Sequence, residues 1–144
     1  MIAIDTNLLV YAHRAATEEH ERARQVLLEA ARHPSGWGFA LPVVAEFWAV
    51  VTHPRASGRP SSPQEAQGFI EALVRGGRAQ IWTPNSGFVE RLMSTAQSLG
   101  TTGVRIFDLQ IALISREAGA RQLWTHDSGF AAPPGIRALD PLGS

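Results

Sequence analysis

A chain of 144 residues with 44% hydrophobic side chains is long enough for one compact domain with an ordinary core, and a single domain over residues 1–144 is expected. Its 13 basic and 13 acidic side chains cancel to a formal net charge of zero, so any case for a polyanionic partner must come from how charge is distributed. The absence of cysteine excludes disulfides, thiolate metal sites and cysteine nucleophiles, and no run approaches the ~18 apolar residues of a membrane span; a soluble, cytoplasmic protein with no membrane attachment is expected.

Ile2-Ala3-Ile4 is the short apolar run that a buried central strand requires, and it stops at a carboxylate, Asp5. Thr6 and Asn7 are good N-cap residues for the apolar turn at residues 8–11, so Asp5 falls at the carboxyl edge of a parallel sheet, where open α/β folds bind ligands. The alternative is that Asp5 only supports the first helical turn. Residues 18–32 read as an amphipathic helix, ended by His33-Pro34-Ser35-Gly36, and residues 37–41 as a second strand. Pro42 then introduces a helix at 43–51 that is apolar around its whole circumference apart from Glu46, the pattern of a helix covered on most sides by core or by a partner.

Residues 52–63, rich in Pro and Ser, form a loop; its Arg55 and Arg59 are candidates for phosphate contacts or, equally, solvated loop charges. A helix at 64–75 closes at Gly76-Gly77, a third strand at 80–83 stops at Pro84, and helices follow at 88–99 and 105–118, the latter with Asp108 alone among apolar residues. The strand at 122–125 again runs into an acid, Asp127, and residues 136–139 form a small edge strand. Ile81-Trp82-Thr83-Pro84 and Leu123-Trp124-Thr125-His126 look like equivalent strand ends. Trp37, Trp82 and Trp124 are expected in the core, with Trp48 a candidate for a partner surface. His13 and His126 read as helix-end or surface histidines, the alternative being a phosphate contact. Short strands alternating with longer helices predict an α/β fold with a parallel sheet between helix layers.

In such a sheet, strand ends and the starts of following helices share one edge, so Asp5, Glu46, Asp108 and Asp127 are expected to converge on one crevice. Two carboxylates ~4 Å apart repel by about 4 kcal/mol at an effective dielectric of ~20. Three such pairs, roughly 12 kcal/mol, would rival the whole stability of a domain at about 5–15 kcal/mol. The cluster therefore needs cations, protons or arginine, and an all-oxygen donor set favours a hard ion, Mg²⁺ or Mn²⁺. Such a site polarises phosphoryl groups and activates water, which are the requirements of phosphodiester hydrolysis. Taken singly, Asp108 is also readable as a helix-dipole acid, Asp127 as a turn former and Glu46 as an arginine-paired ion.

Asp5-Thr6-Asn7 after a terminal apolar strand, Glu46 within Pro42-Val43-Val44-Ala45-Glu46-Phe47, Asp108 within Phe107-Asp108-Leu109-Gln110-Ile111-Ala112, and Thr125-His126-Asp127-Ser128-Gly129-Phe130 together resemble the PIN domain, and within it the VapC-type toxins of toxin–antitoxin modules. The resemblance spans nearly the whole chain. It implies a three-layer α/β/α sandwich with a short, mainly parallel sheet, and a Mg²⁺-dependent endoribonuclease, with Mn²⁺ as a substitute, that cuts RNA by metal-activated water and is inhibited by a cognate antitoxin. By position, Asp5, Glu46, Asp108 and Asp127 would be the metal-binding acids, with Asn7 and Thr125 orienting ligands or water. The family often carries a further acid where this chain has Gly129. The helices around Trp48 and Phe69 point to a homodimer. Receiver domains and haloacid-dehalogenase-like phosphatases also place acids at strand ends, but both set a lysine beside the phosphoryl group and this chain has none. A PIN nuclease that processes RNA without toxicity, and an inactive binding module, are the alternatives within the family.

Overall fold

The structure is a computed structural model and describes residues 1–56 and 58–143; Ser57 of the expected loop and the terminal Ser144 lie outside the described residues. Five short strands, β1 (Ile2–Ile4), β2 (Trp37–Ala40), β3 (Gln80–Trp82), β4 (Gln122–Trp124) and β5 (Arg137–Leu139), form one sheet in the order β3-β2-β1-β4-β5, every pair parallel. Six helices connect them: α1 (Thr6–His13), α2 (His20–Ala31), α3 (Leu41–Val51), α4 (Pro63–Arg75), α5 (Phe88–Leu99) and α6 (Arg105–Glu117). α1 packs on α2 and α3, α3 packs on α4, and α5 pairs with α6, giving the three-layer α/β/α arrangement.

The chain winds outward from β1 to β2 and β3, then crosses back to lay β4 and β5 on the other side of β1. β1 is therefore central and flanked on both edges, which is why its three residues are all apolar and buried. The reversal falls between β1 and β4, and at such a switch point the loops after neighbouring strands part to leave a crevice.

Gly38 has a specific role in closing the sheet. A Cβ there would lie 2.2 Å from the Gln80 carbonyl oxygen, so only glycine lets β2 approach β3. The two similar strand ends are equivalent in detail: Trp82 donates its indole N–H to the side-chain oxygen of Gln80 and Trp124 to that of Gln122, both at 3.1 Å. Trp37 and Trp82 are buried as expected, whereas Trp124 is half-buried against the core.

α3 departs from expectation. The core takes only the stripe Val43, Phe47 and Val51, while Leu41 and Val50 are 47% and 49% exposed. The aromatic residue of α4, by contrast, faces inward: Phe69 stacks on Phe47, and His13 at the end of α1 lies against both rings while sharing a 2.8 Å hydrogen bond with Ser61. Among the described residues no helix is long and apolar enough to cross a membrane.

Candidate active site

Each of the four acids is delivered by a different element. Asp5 follows β1 directly, Glu46 lies in α3 after β2, Asp108 lies in the first turn of α6, and Asp127 lies beyond β4. Their carboxylates line a single open crevice of about 320 Å³ whose walls also include Thr6, Asn7, Val10, Tyr11 and Val50. Residues separated by as many as 122 positions thus meet because parallel connections return every strand end to one edge.

Asp5 is the most buried of them and both its oxygens are occupied. Oδ1 accepts the Thr6 amide at 2.8 Å, making Asp5 itself the N-cap of α1, the role that the sequence offered to Thr6 or Asn7. Capping and site-building are therefore one function here, because the strand ends too close to the helix to leave room for a separate cap. Oδ2 accepts the Thr125 hydroxyl at 2.8 Å. Thr125 Oγ in turn accepts from Asn7 Nδ2 at 3.2 Å and from the Asp127 amide at 3.1 Å, so one buried hydroxyl uses its single donor and both acceptor positions. Asn7 Oδ1 accepts the His126 amide at 3.1 Å, and Thr6 donates its hydroxyl to Glu46 at 3.2 Å.

The electrostatics record how close the acids are. Burial raises the Asp5 carboxyl above its ordinary value, the bonds from Thr125 and Thr6 oppose that, and the charge of Asp127 adds to it. Glu46 is raised by desolvation at the crevice wall and then by the charge of Asp5, against the Thr6 hydroxyl. Asp108 is pushed up to about 6 by burial first and then by Asp5, Asp127 and Glu46 together, with Arg105 alone pulling it down. Asp108 thus meets the charges of the other three acids at once, on top of its burial.

The donor set is all oxygen and the cavity is open. Among the described residues no three acids or histidines already stand at ligating distance from a common point. An open, all-oxygen site of this kind is chemically matched to a hard divalent ion that keeps part of its water shell, with Asp5, Glu46, Asp108 and Asp127 the side chains able to reach it. Asp127 Oδ1 accepts the Gly129 amide at 2.8 Å, and no side chain at 129 adds a second charge beside it.

Arg55 and Arg59 do not line the crevice. The Arg59 guanidinium forms a two-bond fork with Glu65, at 3.1 and 2.9 Å, and together with the Ser62 amide it holds that carboxyl down at about 2. It is tied to the capping box that opens α4. Several site residues carried little signal in the sequence: Thr6 reads as an N-cap and not as a partner of Glu46, Tyr11 belongs to the apolar turn at 8–11, and Arg105 only opens the helix at 105–118. Asp140 did carry one, since Ala138-Leu139-Asp140 repeats the strand-then-acid pattern of Ala3-Ile4-Asp5.

A family model for the PIN domain matches residues 2–136. Ribonuclease VapC43 of Mycobacterium tuberculosis is 33% identical over 142 residues, covering 99% of this chain and 96% of that one. Among solved structures, VapC20 of Mycobacterium tuberculosis, described as a sarcin-ricin loop cleaving toxin, superposes with a TM-score of 0.67 at 15% identity over 90% of this chain and 92% of that one. VapBC2 of Rickettsia felis, solved bound to a DNA fragment from its promoter, gives 0.63 at 19% identity, with 97% and 98% covered.

Proposed function

Because this chain belongs to the PIN-domain family, we propose that it is a Mg²⁺-dependent endoribonuclease, the toxin of a toxin–antitoxin pair, with Mn²⁺ able to replace Mg²⁺. The observation that carries the reading is the crevice into which four separate elements each deliver one carboxylate, with three of the four raised by burial first and by a neighbour's charge after it.

Asp5, Glu46, Asp108 and Asp127 would hold the cation, which when bound neutralises the acids, polarises a phosphoryl oxygen and activates water for attack on phosphorus. The protein's own work is positional. Thr125 holds Asp5 Oδ2 and the Asp127 amide at fixed distances, Asn7 bridges Thr125 to the His126 backbone, and Thr6 steadies Glu46. Val10, Tyr11 and Val50 give the crevice an apolar wall, which lowers the local dielectric and strengthens every charge interaction inside. Arg55 and Arg59 are proposed RNA contacts outside the crevice, where Arg59 must first leave Glu65. With zero net charge the substrate is held locally and by the cation, and an RNA strand is cut to leave a 5′-phosphate and a 3′-hydroxyl.

Two partners belong to the same proposal. An antitoxin silences the enzyme by covering the crevice; the VapBC2 structure is one of a toxin-family protein found with a second protein. A second copy of the chain packs on the side of α3 that carries the exposed Leu41, the face turned away from the crevice-lining Val50, a reading that the inward-facing Phe69 of α4 does not support. The deciding experiment incubates purified protein with RNA in Mg²⁺, in Mn²⁺ and in EDTA, beside Asp5→Ala, and maps new 5′ ends by sequencing. Cleavage that requires the ion and Asp5 is expected; identical profiles for wild type and variant would remove the nuclease.

A further inference from the structure

The segment that carries Asp127 belongs to no helix or strand, and the four acids differ in this respect: the other three sit on a helix or cap one. Its neighbours on the page explain how it is held. Thr125 donates its amide to the Leu139 carbonyl at 2.8 Å, extending the β4–β5 ladder by one rung. The next residue after Leu139 is Asp140, whose two oxygens lie 3.1 and 2.9 Å from His126 Nδ1. A carboxylate only accepts, so Nδ1 carries the hydrogen. Asp140 is itself fixed, its Oδ1 accepting the Leu142 amide at 3.0 Å, and the far side of the His126 ring meets Tyr11 edge-on with centroids 6.0 Å apart. His126 is thus pinned at three places: its backbone by Asn7, its ring by Asp140, its edge by Tyr11.

We infer that Asp140 is a positioning residue for this site: through His126 Nδ1 it braces the Thr125–His126–Asp127 turn and so holds Asp127 over the crevice against the repulsion of the other acids. β5 then exists to place this brace, which accounts for a three-residue edge strand ending in an acid. The inference rests on the nuclease reading for its catalytic consequence and on geometry alone for its structural one. It needs only the Nδ1–H, which is present whether or not the ring is charged. Outer partners of this kind typically alter metal affinity or activity by about 10–100-fold.

The test uses the full chain and the variants Asp140→Ala, Asp140→Asn, His126→Asn and His126→Gln. Asparagine at 140 still accepts from Nδ1–H, and asparagine at 126 puts an amide N–H where Nδ1 was, whereas glutamine reaches only the place of the other ring nitrogen. Three quantities are measured: hydrogen exchange of the His126 and Asp127 amides without metal, Mn²⁺ affinity by calorimetry, and kcat and KM on RNA. Asp140→Ala is expected to remain folded by far-ultraviolet circular dichroism, to exchange both amides at least tenfold faster, to bind Mn²⁺ about tenfold more weakly and to lower kcat about tenfold with KM within twofold. Asp140→Asn and His126→Asn should recover most of each. Unchanged exchange and Mn²⁺ affinity in Asp140→Ala, or rescue by His126→Gln and not by His126→Asn, would overturn the brace. Faster exchange and weaker Mn²⁺ binding in a protein whose wild type cuts no RNA would uphold the brace and remove only the nuclease reading.

Discussion

Thr125 gives its hydroxyl hydrogen to Asp5 Oδ2 at 2.8 Å across 120 residues of chain, and this one bond joins the end of β1 to the end of β4. Replacing Thr125 with valine keeps the shape but leaves Asp5 Oδ2 without its donor and Asn7 Nδ2 and the Asp127 amide without this acceptor. Loss of partners for buried polar groups costs about 1–3 kcal/mol each at sites shut off from water. We expect Thr125→Val to lose about 2 kcal/mol in urea unfolding and to raise the Asp5 carboxyl further, while Thr125→Ser loses less than half of that.

The pH dependence of stability follows from the raised acids. A carboxyl whose folded-state value lies above its unfolded one makes the native state bind more protons, so stability is fully present below the ordinary value near 3.8 and is lost as pH rises through the folded value, about 6 for Asp108. Asp5 and Glu46 act in the same direction. After allowance for solvent screening of the part-exposed Asp108, the loss attributable to it is about 1 kcal/mol, or roughly 2–4 °C in melting temperature. Melting curves in EDTA should therefore fall between pH 4 and pH 7. In Asp108→Asn the share of that slope due to Asp108 should vanish, leaving that of Asp5 and Glu46, and the metal-free variant should be the more stable one at pH 7.

A cation that relieves the same repulsion must stabilise the fold. At one hundred times its dissociation constant, Mn²⁺ is expected to add about 2.7 kcal/mol. Thermal melting of wild type at millimolar Mn²⁺ should show the rise, and Asp5→Ala should show little of it. A wild type indifferent to the ion would contradict the assignment of all four acids.

Gly38 makes a prediction about the scaffold alone. Alanine there would drive a methyl to 2.2 Å from a backbone oxygen, and backbone cannot move aside as a side-chain tip does. Overpacking of this kind costs typically 1–3 kcal/mol, and Gly38→Ala should lie at the upper end in chemical denaturation while leaving the far β4–β5 pairing intact by hydrogen exchange.

The exposed face of α3 supplies the last prediction. If a second copy covers the side that carries Leu41, Leu41→Glu should halve the mass measured by light scattering without lowering the helix content. A wild type already monomeric at high concentration would dispose of the dimer.

Much of the fold was legible because the signals are local. Apolar triplets ending in an acid, Pro and Gly at the joints, and 3.6-residue periodicity locate every strand and helix to within a residue or two. The convergence of Asp5, Glu46, Asp108 and Asp127 was legible too, since it follows from parallel topology and not from any one motif. What escaped depends on contacts between segments far apart. Whether Asp5 or Thr6 caps α1 is decided by how tightly β1 meets the helix, and the fork that ties Arg59 to Glu65 is decided by how the loop folds onto α4. The uncovered side of α3 is invisible to periodicity, because a helix apolar all round does not say which face the core will choose. Asp140 follows its strand by the same rule that singles out Asp5, but nothing local reveals that its partner is His126, 14 residues upstream.

Two strands and all six helices described separate the central strand from its partner β4 along the chain. A polypeptide interrupted before Gln122 keeps β1, Glu46 and Asp108 but lacks Thr125 and Asp127, and one edge of β1 stays bare. The pairing that covers the second edge of β1 is thus the same event that brings Thr125 and Asp127 to the crevice, so sheet and site are completed together.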